Sequence, residues 1–371
     1  MWETSAGRIL AAVFCSAVLM LPAGASTAAA RDPLTPVWVS PLQGDSDFNA
    51  IVAPDAKNVW AFGTTRSAGK ARPLVYRKSG STWKKDRLPS GLNGGIQAAD
   101  ASSGSNIWAV GGGSFDGQGS AYLLHWNGER WKLARRWKST FPLTISTTGR
   151  RGVWVFDSLQ SRALRFDGRR WHKVKTPVPV WDAAARGKTV WAWGLSRHGK
   201  TEAVHFNGRR WRPAGPGALL PKQTEESMTT FTEPVFAGEN VWMVANHIAN
   251  WTDDDPKIES FLLRHKNGRW RKEKADPTSE LGHTPIPDGR GGLWLLVSEK
   301  ISGWDGGLEY DLVLTHRTAT GRWSERFLGH VDEETAGVAE FVRIPGTQRL
   351  LGVGSVKPSG RNKDAAIFEL S

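Results

Sequence analysis

Asn58-Val-Trp-Ala-Phe-Gly63, Asn106-Ile-Trp-Ala-Val-Gly111, Gly152-Val-Trp-Val-Phe156, Thr189-Val-Trp-Ala-Trp-Gly194, Asn240-Val-Trp-Met-Val244 and Gly292-Leu-Trp-Leu-Leu296 are one motif written six times. A seventh copy, Arg349-Leu-Leu-Gly-Val-Gly354, keeps the pattern without the tryptophan. Self-similarity at a recurring period marks a repeat architecture, whose units bury their apolar faces only against their neighbours. Each copy is apolar at consecutive positions rather than alternating ones, which suits a strand covered on both faces.

Further along each unit stands a second motif, clearest in Leu124-His-Trp-Asn-Gly-Glu-Arg-Trp131, Arg165-Phe-Asp-Gly-Arg-Arg-Trp171, Val204-His-Phe-Asn-Gly-Arg-Arg-Trp211 and Arg264-His-Lys-Asn-Gly-Arg-Trp270. Asn-Gly or Asp-Gly between two β-type runs signals a hairpin, because both residues tolerate the positive φ of a tight turn. Each unit is therefore four short strands: a lead-in strand a, the Val-Trp strand b, an apolar strand c, and a strand d that starts at the second tryptophan. Four antiparallel strands repeated radially make a propeller blade. The expected fold is all-β, a seven-bladed β-propeller of four-stranded antiparallel blades.

The count closes on the N-terminus. Trp83, Trp131, Trp171, Trp211, Trp270 and Trp323 start six d strands, whereas the seventh unit ends at Ser371 without one. Val37-Trp38-Val-Ser-Pro-Leu42 reads like the missing strand. Pairing it with the last blade would latch the ring and remove an open sheet edge.

An Ala-Val-Gly-Gly ending to strand b, followed by an aromatic strand c, a turn and Trp, resembles the kelch repeat of galactose-oxidase-like propellers. Asp55-Ala-Lys-Asn-Val-Trp60 is also similar to the repeats of two-component sensor propellers. The resemblance spans the chain beyond its first thirty residues and implies the fold; it implies no one activity, since this fold hosts many. The copper chemistry of that family implies a cysteine joined to a tyrosine, and the one cysteine here, Cys15, stands in the N-terminal apolar run. That cofactor is not expected.

Residues 1–30 read as a secretory signal peptide: Arg8, an uncharged run from Ile9 to Leu21, then small residues from Ala23 to Ala30. Cleavage fits after Ala25 or Ala30, the latter preferred, leaving 31–371 as a single propeller domain. The expected location is extracellular, the expected state a monomer. The apolar run is shorter than the roughly 20 residues of a membrane-spanning helix, and no membrane span is expected. A mature chain without cysteine has no disulfide and no thiolate metal site.

In such blades the b–c and d–a loops open on one face and the a–b and c–d turns on the other. The first set varies here and the second is short; variation belongs where a rigid scaffold carries function. The longest variable loops are Pro216 to Glu233, Ala245 to Ser260, Glu273 to Pro285 and Ser298 to Asp311. Two of them hold tryptophans out of phase with the repeat, Trp251 and Trp304, beside Asp253, Asp254, Asp255 and Asp305. An aromatic ring next to carboxylates suits a sugar, whose apolar face stacks while its hydroxyls find acceptors. Asp253 to Asp255 could instead hold calcium, a cation that takes oxygen ligands; no other cofactor is expected. The plainer alternative is that both tryptophans plug the loops onto the blades.

His125, His205 and His265 recur at one place on strand c, with Arg165 there in the third blade. A repeated position is spread around the ring and cannot converge on one metal ion, so these are structural. No Gly-x-Ser-x-Gly elbow occurs. The formal charge is +13, and basic residues populate both faces; an anionic partner is favoured by long-range attraction that salt screens. The first reading is a non-enzymatic binding module for a carbohydrate or anionic cell-surface polymer through the variable-loop face, with Trp251 and Trp304 stacking. The second is a polysaccharide lyase or hydrolase using His247, His283 and the acids Asp253 to Asp255 and Asp305. The third is a platform for a protein partner.

Overall fold

In a computed structural model the chain forms seven antiparallel sheets built on four strands each, one of them with its first strand divided, and among the described residues there is one 3-10 turn, at Gly217–Leu219. The structure describes residues 34–42, 44–112, 119–138, 143–149, 152–250, 257–273, 283–301, 309–332, 336–357 and 362–370. Blade 1 shows the plan: strand a at Asp45–Asp55, b at Asn58–Ser67, c at Lys70–Ser79 and d at Thr82–Lys85, hydrogen-bonded in that order. In blade 5 strand a is broken into Ser227–Phe231 and Val235–Ala237, both paired with strand b at Asn240–Ala249.

The ring closes as the strand count requires. Trp38 and Val39 pair with Ile367 and Ala366 at the edge of blade 7, and the N–H groups of Val37 and Ser40 extend the ladder to Ile367 and Ala365. Trp38 then lies on Tyr76 of blade 1, ring centroids 4.7 Å apart. Burial follows the interfaces between blades: each of the seven hydrophobic clusters among the described residues joins two neighbouring blades, the last to the first included. A wedge-shaped sheet has no core of its own, so stability comes from stacking neighbours around the circle.

The strand b tryptophans explain the repeated basic residue on strand c. Directly across the ladder stand Arg77, His125, Arg165, His205, Arg264 and His316, opposite Trp60, Trp108, Trp154, Trp191, Trp242 and Trp294. His125 and His316 stack on their indoles at 4.0 Å, and the Arg264 guanidinium lies 5.5 Å from the ring of Trp242. The position is structural, as its repetition indicates. One assignment is corrected: in blade 5 it belongs to Arg264, and His265, a residue later, points to the opposite side of the sheet and meets Trp191 of blade 4. The blade 5 hairpin keeps the same six-residue spacing from Arg264 to Trp270 as its counterparts, but its Asn267-Gly268 turn comes one residue later, so that His265 rather than Arg264 stands two residues before the asparagine.

Candidate functional site

The glycine that ends four copies of the strand b motif determines what reaches the axis. Opposite Gly63, Gly111, Gly194 and Gly354 the innermost strand skips a residue, so that Asn49, Gln97, Trp181 and Ala339 are bulged out of the ladder. The bulged strand brings a carbonyl across the glycine: a Cβ there would lie 1.9 Å from the Asp47 oxygen in blade 1 and 1.8 Å from the Gly337 oxygen in blade 7. Blade 3, with Asp157 at that place, keeps a regular inner ladder. A bulge re-aims the side chains beside it.

All four bulged residues, and the residues that follow them, Ala50, Ala98, Asp182 and Glu340, line one cavity of about 300 Å3 on the axis. Thr144 of blade 3, Glu233 in the break of the blade 5 inner strand, and Thr284 before the inner strand of blade 6 complete its wall. Every blade contributes. Gln97, Thr144 and Asp182 stand near the start of their strands, which puts the cavity at the end of the channel nearest the d–a and b–c loops.

Three carboxyl groups, Asp182, Glu233 and Glu340, stand in this wall, and Asp100 lies on the inner strand of blade 2 beyond it. Glu340 accepts the Ile51 N–H of the next blade at 3.0 Å, and burial pushes it up to about 8. Asp182 accepts from its neighbour Ala183 at 2.9 Å and from the Thr144 hydroxyl at 3.1 Å, and burial raises it to about 6. Asp100 accepts three hydrogen bonds, from Ala101 N–H, Thr147 N–H and the Thr147 hydroxyl, and is likewise raised by burial. Glu233 is raised well above the ordinary carboxyl range, first by burial and then by repulsion from Asp182, Glu340 and Asp100. Taking a carboxyl out of water disfavours its charged form, and like charges nearby disfavour it further.

Three of these acids also tie blades together: Glu340 joins blade 7 to blade 1, Asp100 blade 2 to blade 3, and Asp182 receives Thr144 of blade 3. Glu233 has no hydrogen bond among the described residues, and its carboxyl is the group at the cavity with no structural duty. A perturbed acid in a concave site is a functional candidate on physical grounds.

Of the residues singled out in the sequence, Trp251, Asp253, Asp254, Asp255, Trp304 and Asp305 lie outside the described residues. His247 lies within strand b of blade 5, buried, with Nδ1 3.1 Å from the Thr229 hydroxyl and its protonated form disfavoured by burial. His283 stands next to Thr284 of the cavity wall, edge-on to Phe341 at 6.2 Å, and burial lowers it to about 4. The two histidines thus belong to different blades, and only His283 adjoins the axial cavity. Among the described residues no group of three or more histidine, cysteine or acidic side chains is placed to hold a metal ion, and none of their helices is long and apolar enough to cross a membrane.

Solved structures similar to this chain include the polysaccharide lyase Uly1, with a TM-score of 0.54 at 9% identity over 89% of this chain and 90% of that one. A puromycin-hydrolyzing peptidase from Mycobacterium tuberculosis gives 0.50 at 13% identity, over 91% of this chain and 53% of the other. The BP39L lectin from Burkholderia pseudomallei gives 0.46 at 13% identity, over 89% and 99%. At such identities the likeness is one of fold. No protein-family model and no curated protein matches the chain, so the kelch and galactose-oxidase resemblance gains no family support.

Proposed function

We propose that the protein is an exported carbohydrate-binding propeller that takes its ligand at the axial cavity and the variable loops around it, and that binding rather than turnover is its role. The observation that carries this reading is the unengaged Glu233 carboxyl in a cavity lined by amides, hydroxyls, carboxyls and the Trp181 indole. Such a wall offers a polyol alternating donors and acceptors, and a carboxyl kept near neutrality can serve as either. Trp251 and Trp304 are proposed as stacking residues at the loop rim, with Asp253, Asp254, Asp255 and Asp305 as acceptors or, for the first three, calcium ligands.

Residues 31–371 are titrated calorimetrically with neutral and acidic oligosaccharides. Glu233→Leu removes the hydrogen-bonding group without unpairing a protein partner. It is expected to weaken binding at least about tenfold, the scale of one hydrogen bond to such a group. Affinity unchanged both in Glu233→Leu and in the Trp251→Ala, Trp304→Ala double variant refutes the reading.

A second reading, a polysaccharide hydrolase or lyase, is favoured by one observation. Glu340 and Asp182 are held at different values, about 8 and about 6, as acid and base partners are. Neutral His283 would be a further proton acceptor at the edge of the cavity. New reducing ends or unsaturated products from a bound polysaccharide support it, and their absence with saturating ligand rules it out.

A further inference from the structure

Blades 2 and 3 differ in length, and the mismatch opens a second site. Strand d of blade 2, Trp131–Lys138, has eight residues, whereas strands b, c and d of blade 3 have five each: Val153–Asp157, Arg162–Phe166 and Trp171–Lys175. The longer strand overhangs the shorter blade and leaves a groove of about 230 Å3 between them. Its floor is apolar: Val155, Phe156 and Ala163 are buried, and the half-buried Trp137 packs on the core between the two blades.

The rim is cationic. Arg135, Lys138, Arg162 and Lys173 line it against a single acid, Asp157. That acid is already engaged, with Arg162 at 3.3 Å and with the Leu159 N–H at 3.0 Å. Arg135, Lys138 and Lys173 have no ion pair among the described residues, and the Nε of Arg135 is buried with no hydrogen-bond partner. The Arg135 guanidinium lies 5.7 Å from the Trp171 ring, which holds it at the groove without neutralising its charge. Asp157 ends strand b, Arg162 begins strand c and Lys138 ends strand d, so the groove opens at the variable-loop edge of the ring.

We propose that this groove is a subsite for an acidic sugar residue: the ring lies over Trp137 and the apolar floor, and an oxyanion, carboxylate or sulfate, faces Arg135, Lys138 and Lys173. A guanidinium matches both anions, and two lysines add attraction. The choice of a sugar ring rests on the carbohydrate reading above; the choice of an anion rests on the groove alone.

The test is calorimetry of the 31–371 protein with an oligogalacturonate, a sulfated hexose oligomer, a neutral oligosaccharide of equal length and a single-stranded oligonucleotide. Variants are Lys138→Gln with Lys173→Gln, both at exposed positions, and separately Trp137→Ala. The two-lysine variant is expected to weaken one of the acidic sugars at least about tenfold, the loss of one charge-assisted bond or more, with the neutral sugar unchanged. The acidic sugar that responds identifies the anion as carboxylate or sulfate. Equal affinity of acidic sugars for the wild-type and two-lysine proteins overturns the proposal, as does an oligonucleotide that binds tighter than either and is weakened by the same substitutions. Glu233→Leu separates the two readings. Loss of neutral-sugar binding there with the groove silent sinks only the groove, and acidic-sugar binding sensitive to the lysines but indifferent to Glu233 and the loop tryptophans sinks only the axial site.

Discussion

Replacing Glu340 by Gln should make the protein more stable at alkaline pH and leave it unchanged in mild acid. Glu340 is shifted from an ordinary value of 4.5 to about 8. Between those two values the unfolded chain has released the proton while the folded protein keeps it. Stability therefore falls as pH rises through this window and levels off above about 8. Each pH unit of the window costs about 1.4 kcal/mol, so the whole of it costs at most about 5 kcal/mol. The channel admits some water to this half-buried group, and about 2–4 kcal/mol is the working expectation. Glutamine retains an oxygen for the Ile51 N–H, now 3.0 Å from a carboxyl oxygen of Glu340, and titrates nothing in this range. Removing the charge also relieves Glu233, which Glu340 pushes upward. Urea unfolding at half-unit steps from pH 5 to 9 measures it: the two proteins should coincide near pH 5 and separate steadily toward pH 8.5. A gap that stays constant with pH, or a variant less stable at pH 8.5, refutes the assignment of a retained proton to Glu340.

Three further outcomes follow from contacts elsewhere in the ring. Glu273 receives Arg264 at 2.7 Å and Arg317 at 2.8 Å, and both guanidinia lie against Trp242; Glu273→Gln strands two partly buried cations and should cost about 3 kcal/mol or more in urea unfolding. Asp86 accepts the indole N–H groups of Trp60 and Trp131, each at 3.1 Å, so Asp86→Ala, leaving both donors unmade, should lower stability by about 2–4 kcal/mol, checked by the same measurement. Trp38→Ala weakens the latch strand where it meets Phe48 and Tyr76; a loss of about 2–3 kcal/mol is expected from lost burial, together with concentration-dependent association as the edge of blade 7 frees, read by light scattering.

The blade count and the latch were legible because stacking two blades requires a large apolar residue at the same place in every strand b, and tryptophan spells it out. The register of the c–d hairpin was not fully legible. His265 stands two residues before Asn267, as His125 does before Asn127, yet the Asn-Gly turn of blade 5 comes one residue later in its hairpin, and only the ladder shows that Arg264 faces Trp242. Strand a was the least readable, because its channel-side residues meet different partners from blade to blade and so carry no repeated residue. Asp100, Asp182, Glu233 and Glu340 were therefore passed over. A signal was nevertheless present: the motif ends in glycine in blades 1, 2, 4 and 7, the blades whose inner strands bulge at that level. Reading that glycine as room for a crossing carbonyl would have pointed to Asn49, Gln97, Trp181 and Ala339 as neighbours on the axis. The candidate loop residues Trp251 and Trp304 stay as the sequence left them, outside the described residues.

The axial wall differs from the rest of the propeller in having no symmetry. The strand c position opposite each tryptophan alternates only between Arg and His, because every blade poses the same packing problem there. At the cavity, the blades supply an amide, a hydroxyl, an indole or a carboxyl in no repeating order. Packing gives no reason for that variety, and crowding acids at the axis works against stability: Asp182, Glu233 and Glu340 each hold a proton more tightly than water alone would have them do. Natural proteins keep such destabilised groups where activity needs them. A ring whose side chains follow no repeat also distinguishes orientations that seven identical ones could not. A ligand on the axis would thus be bound one way round, with the basic exterior and the groove between blades 2 and 3 left to select its charge.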